Sequence, residues 1–250
     1  MTNIIISGCN GKMGKVIESI IAARDNATVV AGVDFFDQSN DKFPVYKTIS
    51  DCKEKADVII DFSNPAAIDG LLNYSKENSI PLVIGTTGFS DEEKEKIHNA
   101  SKETAIFFTY NMSIGVNLLA ELAKTAAKIL GNDFDIEIIE KHHNQKIDAP
   151  SGTALMLADA ICEVKDEPMK YEYDRHSKRE KRTKNEIGMH AVRGGTIVGE
   201  HEVIFAGRDE IITLSHSARS KELFAVGAVN VAIFMNGKAN GLYSMKDLIK

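Results

Sequence analysis

The chain has no tryptophan, only three cysteines among its 250 residues and no excess of positive charge, and each shortage excludes a class of protein. Without tryptophan, the core has to be built from Ile, Val, Leu, Phe and Ala. Cys9, Cys52 and Cys162 are odd in number and widely scattered, so neither a disulfide framework nor a zinc-ligand spacing follows. The expected home is therefore the reducing cytoplasm. A net charge of −6 argues against a general nucleic-acid binder. No apolar run approaches the length of a membrane span. The opening Met1-Thr2-Asn3-Ile4-Ile5-Ile6-Ser7-Gly8 carries no basic leader and is expected to begin the fold itself. What remains is the composition of an ordinary globular protein, long enough for two domains.

Up to about residue 110, short apolar runs alternate with helical periods. Ile4-Ile5-Ile6 reads as a buried strand, and Met13, Val16, Ile17, Ile20 and Ile21 then repeat on one helix face. Further strands are expected at 29–33, 57–61, 82–84 and 105–109. A helix carrying Ile68, Leu71 and Leu72 precedes the fourth of these five strands, and another opens on the capping-box pair Ser90 and Glu93. This alternation predicts a doubly wound parallel sheet of Rossmann type.

The pattern changes after Asn111. A helix is expected over 114–130, stopped by Gly131, followed by a strand in which Ile136, Ile138 and Glu140 alternate with Asp135, Glu137 and Ile139. Strands at 189–192, 202–205 and 211–214 follow with no long helix among them, which predicts a second, α+β domain with a mixed or antiparallel sheet. A largely buried helix is expected over 224–234. The stretch 166–186 includes Lys178-Arg179-Glu180-Lys181-Arg182, but interleaved Glu172, Asp174 and Glu180 dilute its field, so it reads as a solvated loop.

The densest chemistry lies in Lys141-His142-His143-Asn144-Gln145-Lys146 and the Asp148-Ala149-Pro150-Ser151-Gly152-Thr153-Ala154 that follows. Imidazoles exchange protons near neutral pH, and a lysine supplies fixed positive charge. A Ser-Gly-Thr turn opening a helix offers free backbone amides to an anion. Proton donor, counter-charge and anion cradle describe a site for an acidic small molecule that must be protonated. A lone histidine pair would suit a metal site or a polar turn, but Lys146 and the adjoining turn favour the acid–base reading.

Between the first strand and first helix, Gly8-Cys9-Asn10-Gly11-Lys12-Met13-Gly14 gives the spacing GxxGxxG instead of the common GxGxxG. Glycines there still let a pyrophosphate approach backbone amides, so Gly8, Asn10, Gly11, Lys12, Met13 and Gly14 are candidate nucleotide contacts. Asp34 ends the second strand, where a carboxylate can accept from an adenosine ribose. Asp34 favours NADH and Lys12 permits NADPH. Gly85-Thr86-Thr87-Gly88 and Asn111-Met112-Ser113 follow later strands and are candidates for the nicotinamide end, with a plain glycine turn as the alternative for the first.

Together with Asp61-Phe62-Ser63, Arg193 through His201 and Gly241-Leu242-Tyr243-Ser244-Met245, these motifs resemble the dihydrodipicolinate reductase family of lysine and diaminopimelate synthesis, nearly end to end. The His-His-x-x-Lys-x-Asp-Ala-Pro-Ser-Gly-Thr block is the most specific part. The resemblance implies reduction of 4-hydroxy-tetrahydrodipicolinate, a cyclic unsaturated dicarboxylate, with hydride from NADH or NADPH. It makes His142 the general acid and Lys146 its partner, with His143, Ser151, Gly152 and Thr153 on the substrate carboxylates. It also implies a discontinuous cofactor domain (1–111 and 221–250), a substrate and oligomerisation domain (112–220), and a homotetramer built through the central sheets. No metal, nucleic acid or membrane is required, and NADH is expected to be modestly preferred because Asp34 would repel a 2′-phosphate. Two departures stand out: Met112 replaces an aromatic residue common at its position, and Ser220-Lys221 replaces Ser-Arg. A related amino-acid dehydrogenase would have little use for the His-His-x-x-Lys block, and an NADH-sensing module would function without His142 and Lys146.

Overall fold

The structure, a computed structural model, describes residues 1–36, 40–109 and 111–249. Its elements run β1 (Thr2–Ser7), α1 (Lys12–Ala22), β2 (Ala27–Val33), β3 (Val45–Tyr46), β4 (Val58–Asp61), α2 (Ile68–Asn78), β5 (Leu82–Ile84), α3 (Asp91–Ala100) and β6 (Ala105–Phe108). Then come α4 (Ile114–Leu130), β7 (Asp135–His142), α5 (Gly152–Cys162), β8 (Lys170–Glu172), β9 (Glu186–Arg193), β10 (Gly199–Ala206) and β11 (Ile211–Ala218). The chain ends with α6 (Glu222–Met235), β12 (Gly241–Tyr243) and α7 (Met245–Leu248). Two compact units result: Met1–Ser113 with Glu222–Lys250, and Ile114–Lys221. No helix among the described residues is long and apolar enough to cross a membrane.

The first unit holds a seven-stranded sheet in the order β12-β6-β5-β4-β1-β2-β3, with every pairing parallel. Helices must cover both faces of such a sheet, which is why its strands are apolar on both sides. Ile5, Ile59, Leu82, Ile84 and Ile106 point to one face and pack with Ile68, Leu71 and Leu72 of α2 and Ile97 of α3. The intervening Ile4, Ile6, Val58 and Ile60 are fully buried too and point to the opposite face. There α6 packs against α1 and against β4, β5 and β6. The capping box at Ser90 and Glu93 forms as the sequence indicates. β3 and β12, two and three residues long, carry no readable alternation and were not expected.

The second unit holds a five-stranded mixed sheet, β11-β10-β7-β9-β8. β10 runs antiparallel to β7 and β11, while β9 runs parallel to β7 and β8. In β7 burial alternates strictly: Ile136, Ile138, Glu140 and His142 are buried and the residues between them only half-buried. Ile136 and Ile138 join Leu119 and Ala123 of α4 and Leu157 and Ile161 of α5 in one core. α4 stops at Gly131, whose φ of +62° favours glycine.

The 166–186 stretch differs from the loop expected of it. It contributes β8, and its basic residues are largely tied down. Arg182 donates from Nη1 to Asp135 at 2.9 Å, from Nε to Glu137 at 3.0 Å and from Nη2 to the carbonyls of Ile136 and Glu186. Arg175 pairs with Glu186, and Lys178 pairs with Glu172. Arg182 thus ties this segment to the start of β7 and Lys178 ties it to β8, while Arg179 and Lys181 are exposed.

α6 is a nearly all-apolar helix, and it fits because one position has no side chain. A methyl group on Gly227 would lie 1.8 Å from the backbone oxygen of Met112. Backbone cannot yield there as a flexible side chain would. Gly227→Ala is therefore expected to cost about 2 kcal/mol or more, read as a lower urea midpoint. An unchanged midpoint would contradict this packing of α6.

Candidate active site

The turn after β1 is shaped by contacts that no side chain could make. Gly8 has φ +81°, and a Cβ on it would lie 2.5 Å from the Phe62 carbonyl oxygen. A Cβ on Gly14 would lie 2.2 Å from the oxygen of Gly8. Gly11 is the N-cap of α1 and provides no side-chain cap, so the first amides of the helix stay open to an anion. Gly8, Asn10, Gly11 and Lys12 line a cavity of about 820 Å³ together with Asp34, Phe35 and Phe36.

Asp34 is nearly buried and ties this wall together. Its Oδ2 accepts from the amide of Asn10 at 2.9 Å and its Oδ1 from the amide of Phe36 at 3.0 Å. Each oxygen keeps a lone pair for a further donor such as a ribose hydroxyl. The rest of the wall was not singled out from the sequence as a contact: Lys47, which follows the two-residue β3, and Phe62, Ser63 and Asn64 after β4. Behind them Asp61 is 1 % exposed, and burial raises its proton affinity. Its Oδ1 accepts from the Ser63 hydroxyl at 2.5 Å.

The other candidate nucleotide residues lie elsewhere in the same unit. Met13 and Gly14 sit in the first turn of α1, outside the lining of the cavity. Gly85, Thr86, Thr87, Asn111 and Met112 also stand outside that lining. Gly85 lies against Phe62, whose ring a Cβ would meet at 2.3 Å, and Thr86 Oγ1 accepts from the Ser63 amide at 2.9 Å. Asn111 Oδ1 accepts from the Ser113 amide at 2.9 Å, and Met112 is buried.

In the second unit, β7 delivers His142 at its last position, on the helix-covered face and 9 % exposed. Its Nδ1 lies 2.6 Å from Oε2 of Glu140, which is 1 % exposed. Arg193, beside His142 on β9, donates from Nη1 and Nη2 to both oxygens of that carboxylate at 2.7 Å each. Ser151 donates its amide to Glu140 Oε1 at 3.0 Å, and its hydroxyl caps α5 by accepting from the amide of Ala154. Burial alone would raise the Glu140 carboxyl, but Arg193, His142 and the Ser151 amide together hold it below the ordinary carboxylate range.

His143, half-buried, follows His142 directly, and Lys146 pairs with Asp148 at 2.8 Å. Gly152 and Thr153 form the first turn of α5, and space is open around Gly152. Three residues of this site were not singled out for a role from the sequence: Glu140, Arg193 and His201. His201 of β10 crosses the His142 ring edge-on, with centroids 5.2 Å apart, and its Nε2 hydrogen-bonds the Ser151 hydroxyl at 2.9 Å. Its Nδ1 is buried and finds no partner among the described residues.

Residues 2–112 match the family described as dihydrodipicolinate reductase, N-terminus, and residues 115–249 match its C-terminus. The chain is similar to a 4-hydroxy-tetrahydrodipicolinate reductase of Caldanaerobacter subterraneus, 55 % identical over all of this chain and 99 % of that one. It is also 51 % identical to the enzyme of the same description from Clostridium novyi, again over all of this chain and 99 % of the other. Among solved structures it resembles a dipicolinate-bound dihydrodipicolinate reductase from Paenisporosarcina sp. TG-14, with TM-score 0.84, 27 % identity and full coverage of both chains.

His201 gives this site a pH dependence of definite sign. Burial first, then the neighbouring His142, lowers its proton affinity from the ordinary 6.5 to about 4. Between those values the unfolded chain binds a proton that the folded chain refuses. The contribution of a neutral His201 to stability is thus fully present above about pH 6.5 and lost as the pH falls toward 4. From pH 7 to pH 5 this amounts to about 2 kcal/mol. Urea midpoints at those two values should fall further for the natural chain than for His201→Gln. Equal falls would show that His201 is not held neutral by its surroundings.

Proposed function

The chain belongs to the dihydrodipicolinate reductase family, and from that premise we infer how its residues divide one reaction among themselves. It reduces 4-hydroxy-tetrahydrodipicolinate with NAD(P)H in lysine biosynthesis. The observation that carries the assignment of roles is the end of β7. There an imidazole held by a buried carboxylate leads into the turn at Ser151 that opens α5.

The nucleotide fits the first unit. The uncapped N-terminus of α1 and the side-chain-free turn suit a pyrophosphate, while Asp34 keeps lone pairs for ribose hydroxyls. Met13 and Gly14 hold the helix turn in that position. Gly85, Thr86, Thr87, Asn111 and Met112 follow the carboxyl ends of β5 and β6, the edge at which such sheets take their ligands, and are assigned to the nicotinamide end. When bound, the reduced nicotinamide supplies a hydride. NADH is modestly preferred, because Asp34 repels a 2′-phosphate. Lys12 and Lys47, both in the cavity wall, soften that preference.

The substrate is a small molecule with two carboxylates. The Paenisporosarcina relative was solved with dipicolinate bound, and a ring dicarboxylate matches the anion seats of this chain: the amides of Gly152 and Thr153, with Ser151 and His143 beside them. The 4-hydroxyl leaves as water, and adding hydride to the conjugated imine so formed builds electron density that a positioned acid must neutralise. His142 supplies that proton, and Lys146 stabilises the developing negative charge.

The assembly is a homotetramer. The face of the mixed sheet opposite α4 and α5 turns Ile139, Val192, Ile204 and Ile211 outward, with Val192 45 % and Ile211 69 % exposed. Apolar residues interleaved with charged ones such as Lys141, Glu137 and Glu202 on an open sheet face are the kind of mixed surface a second copy covers.

Turnover of NADH and NADPH with the substrate is the direct test. Lys146→Ala is expected to lower kcat a hundredfold or more, about 3 kcal/mol, while nucleotide affinity stays near normal. Full turnover in that variant would remove Lys146 from the mechanism. Asp34→Ala should shift the coenzyme ratio toward NADPH by roughly 1 kcal/mol. A ratio unchanged by the substitution would place the ribose contact elsewhere.

A further inference from the structure

We propose that Glu140, clamped by Arg193, is the positioning residue that aims the proton donor: it holds His142 through Nδ1, so that Nε2 is the nitrogen that gives up the proton. The inference rests on the reading of His142 as general acid and adds which ring nitrogen acts and what sets it.

Glu140 Oε1 takes the Ser151 amide at 3.0 Å and Arg193 Nη2 at 2.7 Å. Oε2 takes Arg193 Nη1 at 2.7 Å and meets His142 Nδ1 at 2.6 Å. Each oxygen thus has two partners, and an ionised carboxylate can only accept. The two-pronged guanidinium and the amide keep this buried carboxylate ionised. His142 must therefore donate from Nδ1 whether its ring is charged or neutral, and the exchangeable proton is left on Nε2.

The clamp is itself anchored. Arg193 Nη2 also donates to the carbonyl of Asp148 at 2.7 Å and Nη1 to that of Val192 at 2.8 Å, so the guanidinium cannot swing away. Strand spacing makes the pair: Glu140 and His142 lie two residues apart on β7 and so share a face. On the other side, Nε2 lies beside Gly199 of β10, where a Cβ would crowd it at 3.1 Å. Glycine leaves that nitrogen approachable. An ion pair that merely joined β7 to β9 would need neither the 2.6 Å contact to Nδ1 nor bare backbone beside Nε2.

The test uses the full-length enzyme with Glu140→Gln, Arg193→Lys and His142→Asn. It reads kcat, KM and nucleotide affinity, together with two-dimensional ¹H–¹⁵N spectra of histidine-labelled protein at alkaline pH, which report the protonated ring nitrogen. The natural chain should show neutral His142 protonated on Nδ1. A Gln amide can donate to Nδ1 as well as accept from it. Glu140→Gln should therefore divide His142 between its two tautomers and lower kcat about a hundredfold, with nucleotide affinity unchanged. Arg193→Lys, which keeps the charge but loses the second prong, should fall between the two.

Unchanged kcat in Glu140→Gln while His142→Asn is inactive would overturn the inference and leave the acid assignment standing. A lowered kcat with His142 still protonated only on Nδ1 would also overturn it, since the effect would then be structural. Full activity in His142→Asn would overturn both readings. If Glu140→Gln does not fold, the natural chain decides: neutral His142 protonated on Nδ1 supports the proposal, and on Nε2 contradicts it.

Discussion

A carboxylate that almost no water reaches sets the geometry of the second unit. Burying Glu140 is costly on its own, and burying it against Arg193 is seldom a net gain over an apolar pair of similar size. Its value is positional. From one carboxylate group the molecule fixes the ring of His142 at the end of β7, the amide of Ser151 that begins α5, and the guanidinium of Arg193 on β9. Three separate segments meet at one charge, so the ring of His142 and the N-terminus of α5 cannot be displaced independently. His201 completes the packing as an imidazole held neutral by burial, lying edge-on to His142.

The first unit solves a different problem with backbone in place of charge. The start of α1 carries no side-chain cap, and no side chain would fit at Gly8 or Gly14, the kind of turn at which an anion can approach backbone amides. Asp34 ties the turn at Asn10 to the backbone at Phe36 and keeps lone pairs on the same carboxylate. Replacing it therefore loosens the wall as well as changing its charge.

Much of this was legible in the sequence where the signal is local. Alternating strand and helix periods marked the parallel sheet, the Ser90 and Glu93 pair marked the start of α3, and the strict alternation before His142 marked β7. What escaped was short or distant. β3, β8 and β12 have two or three residues, too few to show a period, and Lys47 depends on the first of them for its place in the cavity wall. Glu140 and Arg193 are 53 positions apart and meet only because β7 and β9 pair in register. The basic run near residue 180 looked solvated because its partners Asp135 and Glu137 lie on another strand. The pairing of Lys146 with Asp148 is local, yet two residues of ordinary loop sequence give no sign of it.

In the reaction inferred above, a proton from His142 and a hydride from the nucleotide reach the substrate in one reductive event. Single-turnover reduction of the substrate, followed by rapid mixing in H₂O and in D₂O with NADH and with NADH deuterated at the transferring position, tests it most directly. The account predicts a slower step in D₂O, a slower step with the deuterated nucleotide, and one non-exchangeable deuterium in the product. Identical rates in the two solvents would contradict a proton donor acting in that step, and a product without deuterium would contradict hydride transfer from the nucleotide.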